Sequence, residues 1–452
     1  MITLLKNGTL VTGSTSETAD VVIDGSTVKA ITRGYPEKEA DKVVDADGMF
    51  ILPGGVDPHV HMHLPWSGGY SADDFYSGSR AALFGGTTTI IDFVTPARGE
   101  SLPHALEKRK MEAGSSLADY SFHVSPVEWR KSTEDEIREC AAMGMTSFKI
   151  YMAYKNSIGL EDEAIRKVLE AVARAGGMVT VHSELGDNIE MLRNLFFKEG
   201  KTTPLYHALS RPSDYESKAV KKVISMAGRA GCPLYIVHVS ATESLGHIEK
   251  AKTLKQKVYA ETCPQYLLLD DTCYRSGFAE SAPFVMSPPL RSPSDNEFLW
   301  EAVADGTIDT VGTDHCPFNM ADKLAGKDDF RKIPNGAGGV EHRLQLLYTY
   351  GVSRGLITIN RMAELFSTQP ARIFGLYPRK GTIEPGSDAD IVIWDPEAED
   401  IISASTHHQN CDINIYEGFR VKGKVRYVIA GGQTVIEKGR LINERRGNFL
   451  TR

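Results

Sequence analysis

The sequence predicts an α/β protein: a (β/α)8 TIM barrel with a small β-sandwich module formed by the two ends of the chain. Two observations predict this class. Eight short apolar segments recur through the middle of the 452-residue chain, with amphipathic or alanine-rich segments between most of them. Both ends instead contain short strands separated by turns. Alternating strands and helices are typical of parallel barrels of ~250 residues or more. We therefore expect the barrel at residues 53–381, the β-module at 1–52 and 382–440, and a C-terminal tail at 441–452.

The β-module is predicted by the pattern at both ends of the chain. The N-terminal segments ITLLKNGTLVTG and ADVVIDGSTVKAIT place Asn-Gly and Asp-Gly pairs between alternating apolar residues, which is a hairpin signal. The C-terminal segments DADIVIWDP and FRVKGKVRYVIAGGQTVIEKGRLI have the same character. We expect these strands to fold together, apart from the barrel.

The barrel strands follow one another through the middle of the chain. In order, we predict them at PGGVDPHVHMH, GTTTIIDFVT, ADYSFHVS, TSFKIYMAY, GMVTVHSE, PLYIVHVS, KVYAETCPQY and IDTVGTDH. The segments between them include EDEAIRKVLEAVARAG and SKAVKKVISMAGRAG. In the second, apolar pairs recur every three to four residues before a glycine, which indicates a helix and its end.

Composition narrows the class of protein. Hydrophobic residues make up 41% of the chain and charged residues 24%, as in an ordinary globular protein with a sizeable core. A net charge of −8 argues against nucleic acid or an anionic membrane as the main partner. The six cysteines form no CxxC pair and indicate reduced thiols of an intracellular protein. With no signal-peptide pattern and no apolar run of ~20 residues, a cytoplasmic location is expected.

Metal-competent side chains fall at or near the C-terminal ends of five predicted strands. They are His59 and His61, Lys149, His182, His238 and Asp314. In a barrel these ends converge on one face, where active sites lie. Residues two apart on a strand share a face, so the two histidines of HVH can bind one ion. Imidazole and carboxylate suit zinc and its first-row neighbours.

Each of these residues also has an ordinary structural interpretation. A single histidine at a strand end is more often a core or loop residue, and HxH alone is a weak signal. Lys149 would ordinarily be ion-paired or extended towards solvent, and Asp314 could cap a helix. The combination of all six, in this order along apolar strands, favours a metal site.

The chain resembles the amidohydrolase superfamily, and within it the hydantoinase/dihydropyrimidinase group of cyclic amidohydrolases. The resemblance extends over nearly the whole length. It is carried by GGVDPHVH, FGGTTTIIDF, SFKIYMAYKN, YHALSRP, YIVHVS, ETCPQYLLLD, SPPLR, TDHCPF, IPNG and KGTIEPGSDADIVIWDP. Several of these segments are long and specific.

The resemblance implies a centre of two divalent metal ions, with zinc expected and manganese or cobalt open. His59, His61 and Asp314 would bind the more buried ion, and His182 and His238 the other. Lys149 would be N-carboxylated by carbon dioxide and bridge both ions. A carbamate supplies two negative oxygens, whereas an ammonium would repel the cations.

The resemblance also implies a reaction and roles for further residues. A hydroxide bridging the metals would open a 5-substituted hydantoin or a dihydropyrimidine to an N-carbamoyl amino acid, as in pyrimidine degradation. Asp314 would pass the proton to the leaving nitrogen, and Tyr154 would donate to the oxyanion. Ser287 and Asn335 would bind the ring amide, largely through backbone groups. The positions that match the substituent pocket are apolar or aromatic, although simple loop packing is the alternative: Met62, Leu64, Tyr151 and Ile158.

The same segments also bear on three alternative functions. A dihydroorotase is disfavoured because HVHMHLPWSGG has no arginine after HxH. An allantoinase-type enzyme stays an alternative, but MAYKN, SPPLR and IPNG favour the hydantoinase group, and the MAYKN tyrosine favours a D-type preference. A non-catalytic scaffold like the collapsin response mediator proteins is the other alternative, although those have lost metal ligands that this chain keeps. The resemblance further implies a homotetramer.

The role of His63 is open at this point. If the first strand continued, His63 would share a face with His59 and His61. The resemblance needs only two ligands there, and His63 departs from the common family pattern. We expect His63 at the rim of the pocket, behind the ligands or in a structural role, provided that the strand gives way to a loop at Met62.

Overall fold

A computed structural model describes residues 1–452, and its strands and helices are numbered here in chain order. The strands are β1 (Ile2–Val11), β2 (Ser16–Asp24), β3 (Thr27–Thr32), β4 (Lys42–Asp45), β5 (Phe50–Pro53), β6 (Gly55–Asp57), β7 (Pro65–Trp66), β8 (Gly69–Tyr70), β9 (Thr87–Val94), β10 (Asp119–Val124), β11 (Ser147–Tyr151), β12 (Met178–His182), β13 (Leu234–Ile236), β14 (Val258–Thr262), β15 (Thr310–Val311), β16 (Ile391–Ile401), β17 (Arg420–Ala430), β18 (Gln433–Glu437) and β19 (Arg440–Leu441). The helices are α1 (Phe75–Phe84), α2 (Leu102–Glu112), α3 (Thr133–Ala142), α4 (Asp162–Arg174), α5 (Gly186–Lys198), α6 (Leu205–Leu209), α7 (Ser213–Ala230), α8 (Thr242–Thr253), α9 (Pro264–Leu268), α10 (Phe278–Ser281), α11 (Pro293–Asp305), α12 (Met320–Lys323), α13 (Arg343–Leu346), α14 (Ile359–Ala363) and α15 (Gln369–Ile373).

Eight parallel strands form the barrel. They pair in the order β15-β14-β13-β12-β11-β10-β9-β6, which is chain order read backwards. A parallel bridge between Val60 and His315 joins the segments that follow the first and the last of these strands. Helices occupy the crossovers between successive strands. The predicted (β/α)8 barrel is confirmed.

Burial explains why the barrel strands are apolar throughout. Every residue of β9 and β10 is buried, because helices cover the outside of the barrel and side chains fill the inside. Helix α4 shows how the outer layer packs. It begins with acidic Asp162 and Glu163 and ends with basic Arg174, which suits the helix dipole. Its buried residues recur every three to four positions: Ile165, Val168, Leu169, Ala171 and Val172.

Three barrel strands end before the ligands that the sequence predicts at their ends; the sixth, β13, stops at Ile236, so His238 follows it. The first ends at Asp57, so His59 and His61 lie in the segment after it, and a turn begins at Met62. The eighth covers only Thr310 and Val311, and Asp314 follows it. The expectation that the HVH histidines sit on a regular strand was wrong. Their side chains are placed by loops that cross the mouth of the barrel.

The two ends of the chain form one nine-stranded sheet that contains β1–β5 and β16–β19. Apolar side chains from both ends meet in a core cluster of 14 residues, among them Leu5, Val21, Ile391 and Ile429. The Asn-Gly pair near the N-terminus makes no hairpin. Asn7 has φ 64° and lies at a register shift within the continuous strand β1, so the pair forms a β-bulge.

The last residues of the chain pack against the barrel. The backbone N–H of Tyr120 donates to the carbonyl of Asn448 over 2.9 Å, and that of Leu450 donates to the carbonyl of Tyr120 over 2.7 Å. Leu450 is fully buried. The tail therefore closes the barrel at the end opposite the candidate site. In no part of the chain is a helix both long enough and apolar enough to cross a membrane.

Candidate active site

Three predicted ligands converge past the ends of β6 and β15. The Nε2 atoms of His59 and His61 each lie 3.1 Å from Oδ1 of Asp314, and 3.3 Å from each other. On the far side of its ring, His59 Nδ1 lies 2.7 Å from Oε1 of Glu261 and donates its proton there. That hydrogen bond leaves the lone pair of Nε2 directed at the other two atoms. Three electron-rich atoms facing one point can hold a metal ion.

The same three groups polarise one another. Burial opposes ionisation of Asp314, but His59 and His61 hold the pKa of its carboxyl well below the usual range. Burial alone would lower the pKa of His59, yet the carboxylates of Asp314 and Glu261 raise it to about 9. A positive charge is thus favoured at this point of the barrel, and a bound divalent cation would supply it.

A second pair of histidines lies beside the first group. Nδ1 of His182 is 2.9 Å from Nε2 of His238, while Nε2 of His182 donates to Oε2 of Glu184 over 2.7 Å. Burial lowers the pKa of both histidines, so both are neutral near pH 7, as metal ligands must be. The ring centroids of His59 and His238 are 5.5 Å apart, which places the two groups side by side.

Lys149 lies in the middle of β11, between these groups. Its side chain is buried, and Nζ lies 4.8 Å from the ring centroid of Phe93 and 5.2 Å from that of Tyr151. The amine makes no hydrogen bond or ion pair within the chain, which is costly for a buried polar group. Burial lowers its pKa to about 8. An amine that is partly neutral and unpaired is one that carbon dioxide can carboxylate.

Asp57, the last residue of β6, anchors the two loops that carry His59 and Asp314. Its Oδ1 accepts the backbone N–H groups of His59 and Thr313, both over 3.2 Å, and its Oδ2 accepts the Thr313 hydroxyl over 2.7 Å. Asp314 and His238 both adopt positive φ angles, 52° and 41°. Such angles cost of order 1–3 kcal/mol each in non-glycine residues and persist where the surroundings impose them, often at functional sites.

The six predicted metal ligands all line one cavity of about 610 Å³. Lys149, His182, His238 and the three-residue ligand group line its floor. Its walls are largely apolar or aromatic and include Leu64, Trp66, Tyr151, Ile158 and Phe318. Pockets of this size, apolar with a few converging polar groups, are typical of small-molecule sites.

Comparison with known proteins identifies the family. A model of the amidohydrolase family matches residues 50–435. The chain belongs to the amidohydrolase family. A D-hydantoinase from Geobacillus stearothermophilus is 41% identical over 450 residues, which cover 98% of this chain and 95% of that protein. A D-phenylhydantoinase from Escherichia coli O9:H4 (strain HS) is 40% identical over 457 residues, which cover 100% of this chain and 98% of that protein. The crystal structure of dihydropyrimidinase from Brevibacillus agri NCHU1002 superimposes with a TM-score of 0.97 at 40% identity, covering 100% of both chains.

These likenesses confirm the predicted place of this amidohydrolase in the hydantoinase/dihydropyrimidinase group, and with it the prediction of a hydrolase. They do not favour the allantoinase or scaffold alternatives. Metal dependence is consistent with the family and with the ligand group of His59, His61 and Asp314. Which metal binds, and whether Lys149 is carboxylated, stay predictions.

Tyr154, Ser287 and Asn335 all line the cavity of the amidohydrolase. Tyr154 has φ 60°, and its ring centroid lies 5.3 Å from that of His182 and 5.4 Å from the guanidinium carbon of Arg211. Burial raises the pKa of its hydroxyl, which therefore keeps its proton near pH 7. The backbone carbonyls of Ser287 and Asn335 accept no hydrogen bond within the chain.

The predicted pocket residues divide into two sets. Leu64, Tyr151 and Ile158 line the cavity. Met62 does not: its side chain is fully buried, and a Cβ at Gly78 would come within 2.2 Å of its sulfur. The turn that begins at Met62 directs this side chain into the core against α1. The expectation that Met62 contacts the ring substituent is therefore not supported by its position.

The same turn carries His63 away from the metal ligands. His63 has φ 49°, its N–H donates to the carbonyl of Asp73 over 2.7 Å, and its ring stacks on Tyr70 with centroids 3.8 Å apart. It neither lines the cavity nor approaches the ligand atoms of His59 and His61.

Sequence reasoning missed the acidic residues behind the histidines. Glu261 holds His59, and Glu184 holds His182 and also accepts a hydrogen bond from Arg211. Burial raises the pKa of Glu184, but Arg211 and His182 outweigh it and bring the pKa to about 2. Both acids were visible as charged residues within or just after predicted strands, in YAET and VHSE. An acid that interrupts an apolar barrel strand is the signal that could have found Glu261.

Proposed function

We propose that this amidohydrolase hydrolyses the ring of a cyclic amide, a 5-substituted hydantoin or a dihydropyrimidine, to an N-carbamoyl amino acid. One observation carries the proposal: His59, His61 and Asp314 converge at the floor of a cavity that Lys149, His182 and His238 also line. The names of the related proteins, D-hydantoinase and D-phenylhydantoinase, support the same reaction class.

The donor set fits two divalent ions. His59, His61 and Asp314 would hold one, and His182 and His238 the other, because the nitrogen and oxygen atoms of each group lie about 3 Å apart and face one another. Zinc suits this mixture of imidazole and carboxylate, although manganese and cobalt compete for such sites. When bound, two such ions lower the pKa of a water molecule and polarise the carbonyl under attack.

We propose that Lys149 is carboxylated on Nζ. The amine lies within the centre without any partner in the chain, where an ammonium would oppose the binding of cations. A carbamate would give the site two further oxygen ligands. Incubation with ¹³C-bicarbonate should produce a carbamate ¹³C NMR signal that a Lys149→Ala variant lacks.

The remaining residues orient the ring and move the proton. Water adds to the ring carbonyl carbon, the C–N bond breaks, and the leaving nitrogen must gain a proton. Asp314 is the base that takes the proton from the water and delivers it to that nitrogen. The Tyr154 hydroxyl, protonated near pH 7, donates to the carbonyl oxygen as negative charge develops there. The free carbonyls of Ser287 and Asn335 accept from the ring N–H groups.

The apolar wall of the cavity would receive the ring substituent. Leu64, Trp66, Ile158 and Phe318 offer an aliphatic and aromatic surface, so we expect a preference for apolar or aromatic substituents. The tyrosine at position 154 and the names of the relatives support a D-type preference. We also propose a homotetramer, by the family resemblance, and a cytoplasmic location, which the six unpaired cysteines support.

The test uses the purified protein with its metals. It should contain about two divalent ions per chain. It should also hydrolyse 5-phenylhydantoin, hydantoin or dihydrouracil, and chiral analysis of the product from 5-phenylhydantoin would show which enantiomer it prefers. Lys149→Ala should remove the activity and lower the metal content. Lys218→Ala, at an exposed lysine of α7 that pairs with Asp214, is the matched control and should change neither. Full activity in protein stripped of metal would overturn the two-metal proposal.

A further inference from the structure

A buried lysine outside the metal centre joins two segments of the cavity wall. The side chain of Lys323, in α12, is 1% exposed. Its Nζ donates to the carbonyls of Val285 over 3.0 Å, Pro334 over 2.8 Å and Gly336 over 2.8 Å. An ammonium has three N–H donors, so this one is fully used. The two segments that it joins contain Ser287 and Asn335.

The other carbonyls of these segments are also occupied. That of Met286 accepts from Nε2 of His207 over 2.8 Å, and that of Pro288 accepts from the Tyr266 hydroxyl over 2.8 Å. The carbonyl of Ala337 accepts from the backbone N–H of Cys316 over 2.9 Å. Within residues 285–288 and 334–337, only the carbonyls of Ser287 and Asn335 have no partner. In the proposed function, these two carbonyls accept hydrogen bonds from the N–H groups of the ring.

We propose that Lys323 is a positioning residue that sets the separation between the free carbonyls of Ser287 and Asn335, and hence the fit of the cyclic amide. It is the one side chain that hydrogen-bonds to both segments, and it adds three bonds to the single backbone one between them, from the Gly336 N–H to the Val285 carbonyl over 3.0 Å. The inference rests on the proposed function, because it assumes that these carbonyls receive the ring.

The surroundings of Lys323 show that the carbonyls are its real partners. It forms no salt bridge, and burial lowers its pKa to about 7, outweighing Cys316, Cys411 and Asp322, which act to raise it. The ring of Phe318, which lines the cavity, lies 5.5 Å from Nζ. A buried amine without a carboxylate is costly unless its donors are satisfied, and here three cavity-wall carbonyls satisfy them.

Two variants remove these hydrogen bonds to different extents. Lys323→Gln keeps two N–H donors, and Lys323→Met keeps none. Lys327→Met, at an exposed lysine of the same segment, is the control. We expect kcat/KM to fall about tenfold in Lys323→Gln and about 100-fold in Lys323→Met, mainly through KM, because misplacement of binding groups by about 1 Å costs about that much. Metal content and the control should stay unchanged. If Lys323→Met does not fold, Lys323→Gln carries the test.

Two readouts separate positioning from a purely structural role. The ratio of kcat/KM for dihydrouracil to that for hydantoin should change several-fold in Lys323→Gln, because rings of different size need different carbonyl separations. Hydrogen exchange should speed up in peptides that cover residues 284–290 and 332–338. A folded Lys323→Gln variant with unchanged KM and an unchanged ratio would overturn the inference alone. Unsubstituted protein that hydrolyses none of the cyclic amides would overturn the proposed function, and the inference with it.

Discussion

Nδ1 of His59 lies 2.7 Å from Oε1 of Glu261, and the same oxygen accepts the backbone N–H of His238 over 3.1 Å. One buried carboxylate therefore holds one member of each proposed ligand group. Its other oxygen, Oε2, accepts the hydroxyl of Tyr235 over 2.8 Å. Glu261 thus fixes the tautomer of His59 and the spacing between the two groups.

Glu261→Gln should weaken metal binding without removing a ligand. An amide cannot match the charge that favours the Nδ1 proton of His59, and residues that support metal ligands typically contribute 10- to 100-fold in affinity. We expect a loss of about that size, measured by competition with a chelating dye of known affinity. Glu249→Gln, at an exposed glutamate of α8, is the control. Equal metal affinity in the two variants would show that Glu261 has no part in the centre.

The histidines of HVHMH should behave differently when each is changed to alanine. His61→Ala removes an atom 3.1 Å from Oδ1 of Asp314, so the first metal should be lost together with activity. His63 stacks on Tyr70 outside the cavity, so His63→Ala should keep both metals. Metal analysis of the two purified variants is the measurement. A metal missing from His63→Ala would mean that the ligands have been miscounted.

The difference between His61 and His63 also shows how far the sequence could be interpreted. Strand alternation treats both alike, because they are two residues apart. The turn at Met62 separates them, and that turn depends on contacts from distant parts of the chain: the Asp92 side chain accepts the Met62 N–H over 2.7 Å, and the Asp73 carbonyl accepts that of His63. Local pattern carries no information about such partners.

The barrel itself was predictable because its signals are local. Apolar strands alternate with amphipathic helices along the chain. A strand that is buried on both faces must be apolar at nearly every position, which makes it recognisable in the sequence. Glu261 and Lys323 show the limit. Each is a charged residue whose role depends on three partners in two other segments, which only the folded chain brings together. Motif resemblance found the groups that would touch substrate, but not those that hold them.

Tyr154→Phe should slow the chemical step while leaving the metals in place. The variant loses only the hydroxyl that would donate to the developing oxyanion. Removal of one such donor typically lowers kcat about 100- to 1,000-fold, and we expect a fall of that order with little change in KM. Steady-state kinetics with metal analysis would check it. Tyr215→Phe, in α7, removes a hydroxyl that makes no hydrogen bond and should leave kcat unchanged.

Substitution of Ile158 should change substrate specificity, whereas substitution of Met62 should change stability. Ile158 lines the cavity, so Ile158→Ala should lower kcat/KM for 5-phenylhydantoin relative to hydantoin. Apolar contacts of this kind are worth about 1–3 kcal/mol, or roughly 10- to 200-fold. Met62→Ala should leave that ratio unchanged, because Met62 is in the core, and should instead lower the free energy of unfolding by about 2–5 kcal/mol. If folded Met62→Ala changed the ratio of kcat/KM for 5-phenylhydantoin to that for hydantoin, Met62 would contact the substituent after all.

Two buried histidines predict that acid destabilises the folded chain. Burial lowers the pKa of His207 to about 3 and that of His342 to about 4, whereas the unfolded chain has the ordinary value near 6.5. Below pH 6.5 the unfolded state therefore binds more protons, and the free energy of unfolding falls as the pH drops from about 6.5 towards 4. Each histidine contributes about 1.4 kcal/mol per pH unit in that window and nothing above it.

His207→Gln isolates one of these contributions, because glutamine can still donate towards the Met286 carbonyl but does not titrate. Urea unfolding of the metal-loaded protein between pH 7 and pH 5 should show a mean slope about 1 kcal/mol per pH unit smaller in the variant, because the contribution begins only near pH 6.5. His104→Gln, at an exposed histidine, is the matched control and should keep the original slope. Identical slopes in all three proteins would mean that His207 takes up its proton as readily in the folded chain as in the unfolded one. The hydrogen bond to Met286, which supports the segment around Ser287, would then persist in acid with a charged donor.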